Sequence, residues 1–161
     1  MLSLSKKTDY ALLALSYLTR TEPGRAVNTK EIAERYAIPM ELLAKILQKL
    51  ARADLLLSTP GPTGGYRLAR SADQISVGEV IKVIDGPPAI IHCLKIAHNG
   101  CEQLDRCTIR RPLARINAKI LQMLDLISLA EINRDEEGES AAITFMAGRE
   151  PQARHRETAR M

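Results

Sequence analysis

The chain has 161 residues, of which 45% are hydrophobic, and its 23 Lys and Arg against 19 Asp and Glu give a formal net charge of +4. This composition is typical of one folded domain with an appended element and excludes a chain that is disordered throughout. No apolar run is long enough to cross a bilayer, and the polar start MLSLSKKTDY lacks the pattern of a secretory signal. We therefore expect a cytoplasmic protein with reduced thiols and no membrane partner. The mild positive charge suits an anionic partner.

The amino-terminal part carries the patterns of three helices. In DYALLALSYLT, residues 9–19, apolar side chains recur at the three-and-four spacing of one helical face. After the turn-rich TEPGRAV, Asn28 can cap a second helix by accepting from the amide of Glu31, while the Glu31 carboxylate reaches back in a capping box. Pro39 fits the first turn of a third helix, PMELLAKILQKLARADL, because its missing amide hydrogen would be unpaired there anyway.

The second and third predicted helices are separated by only about three residues, which predicts a helix-turn-helix whose second helix lies in the major groove of DNA. The apolar stripe of that helix leaves bases and amides, which can contact phosphates or base edges, on its outward side. The outward residues are Glu41, Lys45, Gln48, Lys49 and Arg52. Glu41, Lys45 and Gln48 are candidates for base contacts, and Lys49 and Arg52 for phosphates. A merely solvated face is the competing interpretation.

A hairpin pattern follows the third helix. The runs LLLST and YRLAR flank PGPTGG and predict a β-hairpin over residues 55–70. A basic hairpin directly behind a helix-turn-helix is typical of a winged helix, with Arg67 and Arg70 placed against phosphates or the adjacent minor groove. Ser76 opens one more helix, SVGEVIKVID, which ends before the breakers GPP. The predicted fold is mainly α with a small β-hairpin wing, and residues 1–85 form the winged helix-turn-helix domain.

A long amphipathic helix is predicted over residues 109–133. Its apolar residues alternate at spacings of four and three in a heptad-like seam. They are Ile109, Leu113, Ile116, Ile120, Met123 or Leu124, and Ile127. A helix with so narrow a stripe needs a surface to bury against, and a second copy of itself is the simplest one. We therefore predict a dimerisation helix, with Ser128 capping a short last turn, and a disordered tail over residues 134–161.

The chain has only three cysteines, Cys93, Cys101 and Cys107, which lie in one stretch, residues 86–108. A structural disulfide uses cysteines in pairs, so this odd, clustered set indicates a metal or redox site. Thiolates suit iron–sulfur clusters and zinc, and three of them leave one coordination position for another group. An iron–sulfur cluster, a structural zinc completed by His98, and a cluster-free thiol switch remain open. A thiol enzyme using His92 is disfavoured because the sequence offers no ordered triad.

The motifs LSKKTDYALLAL, GPTGGYRL and SVGEVIKVIDG, in this order around the helix-turn-helix and before the cysteines, resemble the Rrf2 family of bacterial winged-helix regulators. The resemblance covers residues 1–133. It implies a homodimeric transcriptional repressor that binds a double-stranded DNA operator. It also implies an iron–sulfur cluster, 2Fe–2S or 4Fe–4S, on Cys93, Cys101 and Cys107, as in the IscR, NsrR and RirA members. The expected signal is iron, iron–sulfur status, nitric oxide or redox state.

The fourth cluster ligand differs among the members that the chain resembles. IscR-like members carry a histidine three residues after the last cysteine, where this chain has Arg110. NsrR-like members use an aspartate in the first helix of the partner subunit, and Asp9 occupies the matching place. A helix N-terminal residue favoured by the helix dipole is an equally good interpretation of Asp9. His92 and His98 are the alternatives.

Two further departures from IscR concern spacing and DNA contacts. The C-x7-C-x5-C spacing looks closer to the RirA-like regulators. The IscR recognition-helix glutamate and wing arginine fall at Ala44 and Pro60 here. The operator is therefore expected to differ from that of IscR.

Overall fold

A computed structural model of the chain describes residues 4–61, 64–89, 103 and 106–137. Within these residues the helices are α1 Lys6–Thr19, α2 Thr29–Tyr36, α3 Met40–Arg52, α4 Val77–Asp85, α5 Arg110–Leu126 and α6 Leu129–Glu137. Strands β1, Leu56–Thr59, and β2, Gly65–Leu68, form one antiparallel hairpin, and a 3-10 turn, Ala72–Gln74, precedes α4. The predicted helical fold with a small wing is confirmed. No helix in the described part is long and apolar enough to cross a membrane.

Four helices begin at a side chain that caps a first-turn amide left without a helical partner. The caps are Ser5 on α1, Asn28 on α2, Ser76 on α4 and Ser128 on α6, at 2.8–3.2 Å from the amide nitrogen three residues on. The caps predicted at Asn28, Ser76 and Ser128 are confirmed. The Ser5 cap starts α1 earlier than residue 9, because apolar periodicity does not register a polar first turn.

The hydrophobic core lies where α1, α3 and α4 meet, with α6 packed on α1. Leu15, Leu43, Leu47, Leu50 and Val80 have no exposed surface. Burying each leucine side chain contributes roughly 1.5–3 kcal/mol relative to leaving it exposed. Helix α3 is therefore held along one whole side, while its other side faces outward.

The region predicted as the dimerisation helix, residues 109–133, consists of two helices, and the second begins after Ser128, the predicted cap of a short last turn. Helix α5 ends at Leu126, and Ile127 has an extended backbone. The Val77 amide donates to the Ile127 carbonyl at 2.9 Å, and the Leu129 amide donates to the Ile75 carbonyl at 2.9 Å. These two hydrogen bonds at the start of α4 keep residues 127–128 extended, so the helix is interrupted between α5 and α6. Helix α6 packs with α1 and with the 3-10 turn Ala72–Gln74, so only α5 carries the predicted seam.

Two smaller expectations at the second and third helices need correction. Pro39 directly precedes α3 and is not part of its first turn. The Glu31 carboxylate accepts from the Tyr17 hydroxyl at 2.8 Å and from the Arg25 guanidinium at 2.9 Å instead of reaching back to Asn28. The hydrogen bond to Glu31, aided by burial, raises the pKa of Tyr17. Glu31 therefore ties α2 to α1.

Candidate nucleic-acid interface and cysteine site

The turn between α2 and α3 is as short as the sequence predicts. Ala37 adopts a left-handed conformation, φ 51° and ψ 40°, and its amide donates to the Ala33 carbonyl, which ends α2. Ile38 is buried in the core, and its amide donates to the same carbonyl at 3.0 Å. The Pro39 carbonyl then accepts from the Leu43 amide at 3.0 Å. Buried packing and backbone hydrogen bonds therefore set the angle between the two helices.

The outward side of α3 presents the five residues predicted to read DNA, and all five are exposed. Among the described residues, four of them have side chains that make no hydrogen bond or ion pair. These are Glu41, Lys45, Gln48 and Arg52. Side chains of these types recognise phosphates and base edges in protein–DNA complexes. The four are therefore available to an external partner.

Lys49, the fifth residue of this face, has a partner within the chain. Its ammonium donates to the Ile84 carbonyl at 2.8 Å. A cation at a helix C-terminus is stabilised by carbonyls that have no helical partner, and Ile84 lies in the last turn of α4. The side chain predicted to contact a phosphate thus links α3 to α4.

The wing lies behind α3 and is fixed to the segment before α2. Val27 pairs with Tyr66 through two backbone hydrogen bonds of 2.9 and 2.8 Å. A Cβ on Gly65 would lie 2.2 Å from the Val27 carbonyl oxygen, so this close approach requires glycine. Sequence reasoning missed the Val27 pairing because nothing in the local pattern around Val27 indicates so distant a partner.

The two wing arginines have different surroundings. Arg67 is exposed on β2, opposite Leu57 of β1, and its side chain makes no contact of hydrogen-bond or ion-pair type within the described ranges. Arg70 donates to Glu79 at 2.7 Å and to the Gln74 carbonyl at 3.2 Å. Arg70 therefore braces the start of α4, and Arg67 is the wing arginine that remains available for DNA.

Of the predicted cysteine ligands, Cys107 is the one that the structure describes. Cys93 and Cys101, with the alternatives His92 and His98, lie outside the described residues. The Cys107 thiol is partly exposed, is not in a disulfide and lies just before α5. A free, accessible thiol is what metal ligation requires, because the thiolate is the ligand. Within the described ranges no three His, Cys, Asp or Glu side chains are grouped to hold a metal ion.

Asp9, the predicted fourth ligand, lies exposed in the first turn of α1. Its amide donates to the Ser5 carbonyl at 3.1 Å. Nothing in the described part of the chain donates to its carboxylate. This position fits a ligand offered to a second subunit and equally fits a carboxylate that favours the helix dipole.

A polar junction ties the first turn of α1 to the last residue of α4. The Asp85 carboxylate accepts from the Ser5 amide at 3.2 Å, from the Ser5 hydroxyl at 2.6 Å and from the Thr8 hydroxyl at 2.8 Å. Burial alone would raise the pKa of Asp85, but these hydrogen bonds and the nearby Lys49 charge outweigh burial and lower the pKa below its ordinary value. Asp85 is therefore held as a carboxylate. No local sequence pattern marks this residue, because its partners lie 77 and 80 positions away along the chain.

Comparison with known proteins identifies the family. A family described as "Rrf2: Iron-dependent Transcriptional regulator" matches residues 4–135. The chain belongs to the Rrf2 family. The HTH-type transcriptional regulator NsrR of Oceanobacillus iheyensis is 29% identical to this Rrf2 chain over 136 residues, which are 84% of this chain and 92% of NsrR.

Solved structures agree with this assignment. CymR (YrzC), the global cysteine regulator of B. subtilis, superposes with a TM-score of 0.66 at 25% identity, covering 83% of this chain and 98% of CymR. T. potens IscR superposes with a TM-score of 0.65 at 26% identity, covering 86% of this chain and 93% of IscR. The predicted role of a DNA-binding transcriptional regulator, not an enzyme, is confirmed.

Proposed function

We propose that this Rrf2 regulator is a cytoplasmic, homodimeric repressor that senses iron, iron–sulfur status, nitric oxide or redox state through an iron–sulfur cluster on Cys93, Cys101 and Cys107. The observation that carries the proposal is the free, accessible Cys107 thiol directly before α5, in a family described as iron-dependent. A bound cluster supplies iron that can exchange ligands and electrons. Asp9 of the second subunit supplies the fourth ligand, a hard carboxylate that thiolate-bound iron holds weakly.

The exposed apolar stripe of α5 supports the homodimer. None of the residues of α5 is buried. Ile109, which precedes α5, is 61% exposed, and Ile116 and Met123 on it are 48% and 64% exposed. These three residues are seven apart and share one face. Pairing this face with its own copy around a two-fold axis buries it and presents two α3 helices to two half-sites.

The proposed DNA contacts come from α3 and the wing. Glu41, Lys45 and Gln48 face the base edges, while Arg52 and Arg67 contact phosphates. Lys49 does not belong to these contacts, because its ammonium group donates a hydrogen bond to the Ile84 carbonyl.

Anaerobic purification followed by iron, sulfide and absorption analysis tests the cluster. We expect iron and sulfide with a visible absorption band, all abolished by Cys101→Ala. Ser71→Ala, at an exposed serine that caps no helix through its side chain, is the matched control and should retain all three. Colourless, iron-free wild-type protein would refute the proposal. One zinc per subunit without iron would instead support the structural zinc site.

A cluster-free thiol switch is the second candidate, favoured by the free Cys107 thiol and the similarity to CymR. Two thiols would lose two protons and two electrons to form a disulfide, while diamide is reduced to its hydrazine. Diamide treatment of metal-free protein should then change operator affinity, and dithiothreitol should reverse the change. Unchanged affinity after complete thiol oxidation excludes this switch.

A further inference from the structure

We propose that Asp85 is a positioning residue that couples the cysteine segment to the recognition helix α3. The inference rests on the proposed function, because that function supplies the signal to be transmitted. The sensing segment must influence α3, yet it follows α4 and lies far from α3 along the chain.

Three parts of the fold meet at two consecutive residues at the end of α4. The Ile84 carbonyl accepts from Lys49 of α3 at 2.8 Å. The next residue, Asp85, accepts from Ser5 and Thr8 at the start of α1. A displacement of this turn therefore acts on the recognition helix and on α1 together.

Two prolines restrict the backbone where the chain leaves this turn toward the cysteines. Gly86 has a φ of 82°, a conformation that other residues rarely adopt. Pro87 and Pro88 follow, and proline rings fix φ. The Pro88 carbonyl also accepts from the Asn117 amide group of α5 at 3.4 Å. A displacement of the chain at Pro88 is consequently passed to the end of α4 through only two intervening residues, Gly86 and Pro87.

The first turn of α1 connects the same junction to the proposed fourth ligand. The Thr8 hydroxyl, which bonds to Asp85, belongs to a residue with no exposed surface. A buried hydroxyl that loses its acceptor is strongly disfavoured, so Thr8 and Asp85 move together. Asp9 is the next residue. A change in what the Asp9 carboxylate binds therefore acts on the turn that Asp85 holds.

Two ion pairs of α4 do not share this arrangement. Glu79 pairs with Arg70 next to the wing, and Lys82 pairs with Asp125 of α5. Each is a surface pair that joins α4 to a single neighbour. Glu79→Gln is thus a matched control for Asp85→Asn, because both replace a carboxylate of α4 by its amide.

The test measures operator affinity of the cluster-loaded and cluster-free forms of each variant at fixed salt. We expect Asp85→Ala to lower the ratio of the two affinities at least about tenfold toward one, and Asp85→Asn to lower it less because the amide keeps one acceptor oxygen. Iron content and absorption should stay at wild-type values. Glu79→Gln should keep the wild-type ratio. If Asp85→Ala does not fold, Thr8→Val replaces it as the test variant. Thr8→Val keeps the buried volume and removes the hydroxyl, and it should also lower the ratio of the two affinities.

The outcomes separate the inference from the proposed function. If wild-type protein binds its operator equally with and without the cluster, both are overturned. If wild-type protein responds, and Asp85→Ala or Thr8→Val lowers the melting temperature but keeps the wild-type ratio, Asp85 is only structural. The inference then fails and the proposed function stands.

Discussion

The reading head, formed by α1–α4 and the wing, and helix α5 differ in how their apolar surface is covered. In the reading head, Leu43, Leu47 and Leu50 of α3 are buried within one chain, and four of the five outward polar side chains of α3 have no partner in the described residues. Helix α5 has no buried residue, and its apolar stripe faces outward. The apolar surface of the reading head is therefore largely covered within one chain, whereas that of α5 is not, and in the proposed homodimer a second copy covers it.

The largest expected effect is a loss of stability in the reading head, where buried and exposed leucines can be compared. Leu47→Ala removes a fully buried side chain of α3, and we expect a loss of about 2–5 kcal/mol in the free energy of unfolding. Leu57→Ala, on the exposed side of the wing, should change it by less than about 0.5 kcal/mol. Denaturant unfolding followed by circular dichroism measures both. Equal losses would show that the core has been assigned wrongly.

The next effect concerns assembly and leaves the fold intact. The double variant Ile116→Glu with Met123→Glu places two carboxylates on the exposed stripe of α5. We expect the dimer dissociation constant to rise at least roughly 100-fold, about 2.7 kcal/mol, with an unchanged helix signal. Lys119→Glu, on a polar position of the same helix, is the control. Analytical ultracentrifugation measures the dissociation constant. If the double variant dimerises as tightly as the wild type, α5 does not form the dimer interface.

The contact between the two regions should be sensitive to a single added carbon atom. A Cβ on Gly78 of α4 would lie 2.1 Å from the Asp125 carboxylate and 2.9 Å from the Asp125 backbone nitrogen. We expect Gly78→Ala to destabilise the protein by about 1–3 kcal/mol, because α5 must move away. Asp125→Asn, which removes only the exposed ion pair to Lys82, should cost less than about 1 kcal/mol. Thermal unfolding of both variants compares the two losses of stability. A larger loss for Asp125→Asn than for Gly78→Ala would contradict the close packing of α4 on α5.

The smallest effect is the pH dependence of the Asp85 junction. The folded-state pKa of Asp85 lies below its ordinary value, so the junction stabilises the fold above about pH 4 and loses this contribution as the pH falls through the folded-state pKa. The stability difference between wild type and Asp85→Asn should therefore shrink as the pH falls below about 4 and through the folded-state pKa. Unfolding curves across this range measure it. A constant difference would mean that the carboxylate charge does not stabilise the junction.

The sequence predicts the reading head better than the connections between its parts. Caps such as Asn28 and Ser76 act within three residues, so a local pattern suffices to find them. The bonds from Ser5 to Asp85 and from Lys49 to Ile84 join residues 80 and 35 positions apart. Such contacts depend on how helices pack and leave no local signal. The break after α5 is held by strand-like pairing to α4, which helical periodicity cannot reveal.

The candidate sites divide in the same way. The outward face of α3 follows from helical spacing, and the structure leaves four of its five polar residues without a partner among the residues that it describes. The commitment of Lys49 to α4 does not follow from spacing, because exposure on a helical face does not show which neighbour a long side chain meets. The ligand roles of all three cysteines stay predictions, and Cys93 and Cys101 lie outside the described residues.

The central claim is that a cofactor on Cys93, Cys101 and Cys107 sets the affinity of the dimer for its operator. The most direct measurement is a titration of one anaerobic preparation against a duplex from its own upstream region, before and after a chelator removes the iron, at one salt concentration. The account predicts that the two affinities differ at least about tenfold, and that the chelator changes nothing for Cys101→Ala. Identical wild-type affinities before and after complete iron removal would contradict it.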